Sequence, residues 1–223
     1  MRHHTTAALV LTALTLTACS VAPSGSAPAA SSSPRGKAAD AKPLSSAALG
    51  NRLLTEEELG EGYVRKAERA QHNDDVTVIG CPALAQLGGD AATGQSLGFP
   101  NKAKAAFTYS GGSDSEVAEE LYSDTANKLS DGVGRIFDAM ASCPTYQVLS
   151  GSTAIDMTTQ TSSAPKLGEE QWSQLLTYSA GGQRSIVKQT AIRTGDILVI
   201  VSGSPGLVDT HLSKALAKAE AAS

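Results

Sequence analysis

Apolar positions recur along residues 47–223 with two periods, one typical of helices and one typical of strands. The clearest helix is predicted from "DTANKLSDGVGRIFDAMASC", where apolar residues three or four positions apart form one stripe. The stripe consists of Leu129, Val133, Ile136, Phe137 and Met140, and Cys143 continues it. Pro144 ends this helix, because proline lacks the amide that the next turn needs. A second helix is predicted from about Leu207, with a stripe of Val208, Leu212, Ala215, Leu216 and Ala219.

Strands are predicted where apolar and polar residues alternate between turn glycines. Four such runs are "YVRKAE", "KAKAAFTYS", "TYQVLS" and "TAIDMTTQTS". A C-terminal meander follows in "QWSQLLTYS", "RSIVKQTAIR" and "ILVIVS", joined by two short turns. Residues 197–201 are apolar at every position, as expected for a strand buried on both faces. The segment "SEVAEELYS" fits a helix or the second strand of a hairpin, and we favour the hairpin.

Two shorter helices complete the pattern. Thr55 and Glu58 form a capping-box pattern, which predicts a short helix that Gly60 and Gly62 stop. "CPALAQLGG" predicts one or two further helical turns. The mixed order of strands, hairpins and helices predicts an α+β fold with a central, mostly antiparallel sheet and helices packed on it.

The N-terminus predicts export. Arg2 precedes an apolar stretch at residues 7–16 that is too short to span a bilayer, and small residues follow it. "LTAC" resembles the bacterial lipobox, which implies removal of residues 1–18 and a diacylglyceryl group on Cys19. Two acyl chains anchor a protein stably, whereas one binds reversibly. The alternative is a plain secretory signal with an incidental cysteine.

Residues 19–46 are predicted to form the lipidated cysteine and a disordered tether, and residues 47–223 the extracytoplasmic domain. The tether is almost entirely Ser, Ala, Pro and Gly, so it cannot bury enough apolar area to offset the entropy of ordering. With Cys19 bound to lipid, Cys81 and Cys143 remain as an even pair in an oxidising compartment. We expect them to form one structural disulfide.

Charge argues against nucleic acid as a partner. The chain carries 18 basic and 22 acidic side chains, and residues 1–18 hold one of the basic ones, Arg2. The mature chain is therefore acidic and has no basic cluster with which to bind phosphates.

Catalytic groups are sparse in the mature chain, where His72 and His211 are the two histidines that remain. His72 stands with Asp74 and Asp75 in "QHNDD", which suits a cation, but a polar surface turn accounts for it better. His211, in the first turns of the last helix, is expected to be solvated or next to the cap.

The adjacent "EE" of "LGEEQW", Glu169 and Glu170, is interpreted as a solvated turn rather than an acid–base pair. We therefore expect no catalytic site, no metal and no cofactor.

The layout as a whole resembles the PknH-type extracellular sensor domain of actinobacterial serine/threonine kinases, in its free-standing lipoprotein form. The resemblance rests on the lipobox, the tether and "LLTEEELGEGY" at the start of the domain. It also rests on "RIFDAMASCPTY", in which a predicted helix ends on a cysteine, and on "VKQTAIRTGDILVIVSG" before a closing helix. It covers about residues 47–221 and implies an α+β domain with a cleft for an extracellular ligand. The sensor domain of these kinases is similar to a two-disulfide design, whereas this chain has cysteines for one disulfide.

The function expected from these observations is that of a membrane-anchored extracytoplasmic lipoprotein with a non-catalytic, sensor-like domain that binds a small molecule or envelope ligand. A protein–protein scaffold in the cell envelope, with a membrane protein as partner, is the alternative, and a hydrolase is disfavoured. Most amphipathic aromatics are expected to pack in the core. The candidates for ligand contact are Tyr109, Tyr122, Trp172 and Tyr178.

Overall fold

The computed structural model describes residues 42–67, 76–88, 97–111 and 115–221. The predicted signal peptide, Cys19 and the tether up to residue 41 lie outside the described residues. The polar loop that contains His72 also lies outside them.

Five helices form in the described chain, and their ends follow local signals. Thr55 caps the second helix through a complete capping box with Glu58, as predicted. None of the described helices is long and apolar enough to cross a membrane. The helices are α1 (Ser46–Gly50), α2 (Glu56–Leu59), α3 (Pro82–Gln86), α4 (Ala126–Ser142) and α5 (Pro205–Glu220).

Nine described strands form one sheet in which every neighbouring pair is antiparallel. The order across the sheet is β1-β3-β4-β9-β8-β7-β6-β5-β2, so β1 and β2 are the edges. The predicted α+β class with a central antiparallel sheet is confirmed. The strands are β1 (Tyr63–Arg65), β2 (Val76–Ile79), β3 (Asn101–Tyr109), β4 (Ser115–Ser123), β5 (Thr145–Ser150), β6 (Thr153–Thr161), β7 (Glu170–Ala180), β8 (Gln183–Thr194) and β9 (Ile197–Gly203).

Helices cover both faces of the sheet, because alternate residues of a strand point to opposite sides. Along β9, Val199 and Val201 pack with α1, α2 and α5, and we call this side the α5 face. Leu198 and Ile200 pack with α4 on the other side, the α4 face. A further apolar cluster joins α3 and the end of α4 to strands β5 and β6.

The predicted apolar stripes are confirmed by burial. In α4, Leu129, Val133, Phe137 and Met140 are buried, and in α5 the whole predicted stripe is buried. Residues 197–201 are buried at every position, because β9 lies in the middle of the sheet with helices on both faces. The segment "SEVAEELYS", which fitted either a helix or the second strand of a hairpin, forms the favoured hairpin strand. This strand is β4, and it pairs with β3 along its whole length.

The disulfide between Cys81 and Cys143 is present, as predicted. Cys81 immediately precedes α3, and Cys143 caps the C-terminus of α4, so both sulfurs lie in the cluster beneath that helix end. The bond ties the edge strand β2 and helix α3 to α4.

Residues just before the predicted domain boundary at residue 47 contact the domain. Ser45 caps α1 through its hydroxyl, and the Leu44 amide donates to Ser123 Oγ at 2.9 Å. Leu44 also packs against the core of the α5 face. The last residues assigned to the tether therefore lie against the sheet.

Candidate ligand-binding site

Tyr122 lies in the core of the α4 face with no exposed surface. Its hydroxyl donates to the Glu120 carboxylate, which also pairs with Lys104 at 2.9 Å. Phe99 stacks edge-on against its ring at 5.8 Å between centroids. The structure gives Tyr122 a packing role in the described residues.

Tyr109 lies on the opposite face of the sheet, stacked on Tyr63 with ring centroids 4.7 Å apart. The Tyr63 hydroxyl lies 2.6 Å from His211 Nε2, so α5 and β1 share a hydrogen bond. Burial lowers the pKa of His211, and the nearby charge of Lys214 lowers it further. Burial raises the pKa of Tyr63, and the neighbouring Tyr109 raises it further. The pair is therefore neutral at physiological pH.

The expectation that His211 is solvated or next to the cap is wrong. The side chain is only 5% exposed, because α5 lies flat on the sheet and turns this residue toward β1.

Glu169 and Glu170 converge on one guanidinium. Glu169 lies in a bend and is exposed, in line with the interpretation as a solvated turn, but Glu170 begins β7 and both carboxylates pair with Arg193. Arg193 Nη1 lies 2.6 Å from Glu169 Oε2, and its Nε lies 2.7 Å from Glu170 Oε2. The hydrogen bond from Arg193 and its charge hold the pKa of Glu170 below its usual range. The two carboxylates fasten the start of β7 to β8, because Glu170 and Arg193 are cross-strand partners.

Trp172 and Tyr178 share the α4 face of β7 but occupy different places. Trp172 packs on Phe137 of α4 with centroids 6.4 Å apart, whereas Tyr178 packs with the cluster around the disulfide. Six residues of strand separate them, roughly 20 Å. The four predicted aromatics thus do not converge on one site.

Between these two aromatics, α4 covers a patch of buried polar side chains. Gln174 is 2% exposed, and its Nε2 donates to Met140 Sδ and to Gln189 Oε1, both at 2.9 Å. On the same face, toward Tyr178, the hydroxyls of Tyr146 and Thr159 are buried as neighbours, and neither makes a hydrogen bond of normal geometry within the described chain. We call Gln174, Tyr146, Thr159 and Tyr178 the Gln174 site.

The groups of the Gln174 site are uncharged at neutral pH. Burial, with a smaller contribution from the neighbouring Tyr146, raises the pKa of Tyr178 to about 12. Burial also raises the pKa of Tyr146, and the neighbouring Thr159 hydroxyl acts in the opposite direction. The Tyr146 and Thr159 hydroxyls interact with each other, but without a hydrogen bond of normal geometry. Because buried polar groups normally have a hydrogen-bond partner, both hydroxyls retain hydrogen-bonding capacity for a ligand. The arrangement suits hydrogen bonding to an uncharged polar molecule.

Sequence reasoning missed Gln174 and Thr159, although a signal was present. The alternation in "WSQLLTY" puts Gln174 on the same face as Trp172, Leu176 and Tyr178, so a polar side chain interrupts an otherwise apolar or aromatic face. Within the described residues, no group of three histidine, cysteine or carboxylate side chains is arranged to hold a metal.

Comparison with known proteins identifies a fold. No protein-family profile matches the chain, and no curated protein matches it in sequence. The crystal structure of the extracellular domain of PknH from Mycobacterium tuberculosis superposes with a TM-score of 0.61. The superposition covers 80% of this chain and 97% of that domain, at 14% sequence identity. The chain shares the fold of the PknH extracellular domain. At this identity, the likeness to PknH concerns the arrangement of helices and strands.

Proposed function

We propose that this protein is a lipoprotein anchored to the outer side of the cell membrane through Cys19, with a domain that binds an uncharged polar ligand in a sensor-like, non-catalytic role. The observation that carries the proposal is the fold, which is similar to that of a domain described as extracellular in PknH.

The disulfide supports a location outside the cytoplasm. Structural disulfides persist in oxidising compartments and are rare in the cytosol. Cys81 and Cys143 are both buried in the described structure, so the bond belongs to the core rather than to a reactive surface. Together with "LTAC" at Cys19, this favours an exported protein that is held at the membrane.

The Gln174 site supports ligand binding. Gln174, Tyr146 and Thr159 are buried, whereas Tyr178 and Gln189 on the same face are half-buried. A ligand with a hydrogen-bonding group between Tyr146 and Thr159 would give these hydroxyls a hydrogen bond of normal geometry, which they lack in the described chain.

Thr159→Val tests the proposed function. It removes a buried hydroxyl that lacks a hydrogen bond of normal geometry, at nearly constant volume, so we expect the ligand-free protein to gain about 1 kcal/mol in the free energy of unfolding. The same change should lower the amount of small molecule that co-purifies with the native protein by about tenfold, as measured by extraction and mass spectrometry.

Thr158→Val is the matched control, because Thr158 is the neighbouring residue and is exposed on the other face of β6. It should leave the co-purified material unchanged. Equal amounts of bound molecule in the Thr159 variant, the Thr158 variant and the natural protein would contradict binding at this site and would favour the scaffold alternative.

A further inference from the structure

Glu119 is a carboxylic acid placed inside an apolar core. Alternation along β4 puts it on the α5 face between Val117 and Leu121, both buried. Its cross-strand neighbours are Ala105 on β3 and Val201 on β9. The side chain is 2% exposed, so an ionised carboxylate would be largely cut off from water.

One oxygen of Glu119 has a partner and the other has none. Oε2 accepts a hydrogen bond from the Leu54 amide at 2.6 Å, whereas Oε1 is buried without a hydrogen-bond partner in the described chain. Burial raises the pKa of Glu119 to about 7, and Leu54 and Lys218 counteract part of this rise. Glu58 adds to it, so the charged groups that face Glu119 are Glu58 on α2 and Lys218 on α5.

Residues 51–59 cover this carboxyl group, and we call them the strap. Its apolar side chains, Leu53, Leu54 and Leu59, are buried in the α5-face core. Polar contacts fasten the strap on either side of Leu54. Arg52 Nη1 donates to the Ala219 carbonyl at 2.7 Å, and Glu58 pairs with Lys218.

We propose that the strap is a pH-responsive cover, which loosens locally when Glu119 loses its proton. In the closed state the carboxyl is protonated and dry. In the loosened state the Leu54 amide leaves Oε2, water reaches both oxygens, and one proton is released. This inference concerns regulation of the strap, and it depends neither on the ligand nor on the lipid anchor.

The size of the effect follows from the two protonation equilibria. The closed carboxyl has a pKa of about 7, and a hydrated one has the ordinary value of 4.5. The ratio of loosened to closed strap should therefore rise by roughly 50- to 100-fold between about pH 5 and pH 8. His211 has the opposite sign, because its lowered pKa favours opening of its surroundings as the pH falls.

Hydrogen–deuterium exchange of the full-length chain in detergent tests the proposal. After correction for intrinsic exchange, protection of the amides in residues 51–59 should fall by roughly 50- to 100-fold from about pH 5 to pH 8. Amides of α4 provide the internal reference and should keep their protection. Measured on the natural protein alone, either of two results would overturn the proposal. Protection of residues 51–59 would not change with pH, or it would change in parallel with the protection of α4.

Two variants assign the effect to Glu119. Glu119→Gln, which cannot ionise, should abolish the pH dependence in residues 51–59. Glu120→Gln is the matched control, because Glu120 is the next residue on the same strand, points to the α4 face and contacts Tyr122. It should retain the full pH dependence, and the same dependence in the Glu119 variant would contradict the assignment.

Discussion

Gly203→Ala is expected to lower the free energy of unfolding by about 4 kcal/mol. Gly203 is the last residue of β9 and has a φ of 140°, a conformation that side chains disfavour. An added Cβ would lie 2.1 Å from the Glu116 carbonyl oxygen and 2.8 Å from Val117 Cα. Both contacts are to backbone of β4, which cannot turn away as a flexible side chain would. Strain and overpacking each contribute a few kcal/mol, and together they approach the net stability of a domain.

Chemical denaturation measures this loss, and Gly134→Ala is the control. Gly134 lies inside α4, and an added Cβ would meet no atom within 4 Å. Alanine there should raise stability by about 0.5–1 kcal/mol, because it has the higher helix propensity. Unfolding of Gly203→Ala at the same denaturant concentration as the natural protein would contradict the close approach of β9 to the β4 backbone at Gly203.

Removing the disulfide is expected to cost about 4 kcal/mol as well. Cys81 and Cys143 are 62 positions apart, and closing a loop of this length removes much of the conformational freedom of the unfolded chain. In the folded state the bond fastens β2 and α3 to the end of α4, so those elements should lose hydrogen-exchange protection first.

The double variant Cys81→Ala and Cys143→Ala should unfold at a lower denaturant concentration than the natural protein. Its unfolding should also be insensitive to reductant, whereas reductant should shift the transition of the natural protein. Detection of free thiols on Cys81 and Cys143 in denatured, unreduced protein would contradict the disulfide.

Periodicity along the chain was enough to predict most individual elements. The α4 stripe through Val133 and Met140 has helical spacing whatever it packs against, and residues 197–201 are apolar throughout. Short turns also predicted which of strands β7, β8 and β9 pair with one another. These features depend on residues close together in the sequence.

Contacts between distant residues explain what the sequence could not predict. His211 is buried because it meets Tyr63, 148 positions away, and the register that brings Arg193 to Glu169 spans 24 positions. The joining of the nine described strands into one sheet also depends on the long-range pairing of β4 with β9. No local pattern carries that information.

The candidate site illustrates the same limit. Aromatic type alone selected Tyr109 and Tyr122, which the structure places on opposite faces of the sheet. Strand alternation correctly implies that Trp172 and Tyr178 share a face, and it also points to Gln174 between them. Which residues of β5 and β6 share this face depends on register, so Tyr146, opposite Met157, and Thr159, opposite Leu176, emerged only from the structure.

Intact mass spectrometry of the protein, extracted from the membranes of its native cells without reductant, tests lipid anchoring through Cys19. We expect a chain that begins at Cys19 and carries a diacylglyceryl group. Cys19→Ala should remove the lipid and release the protein from the membrane fraction. A membrane-bound chain with an unmodified Cys19, or membrane binding that persists in the Cys19 variant, would contradict lipid anchoring through Cys19.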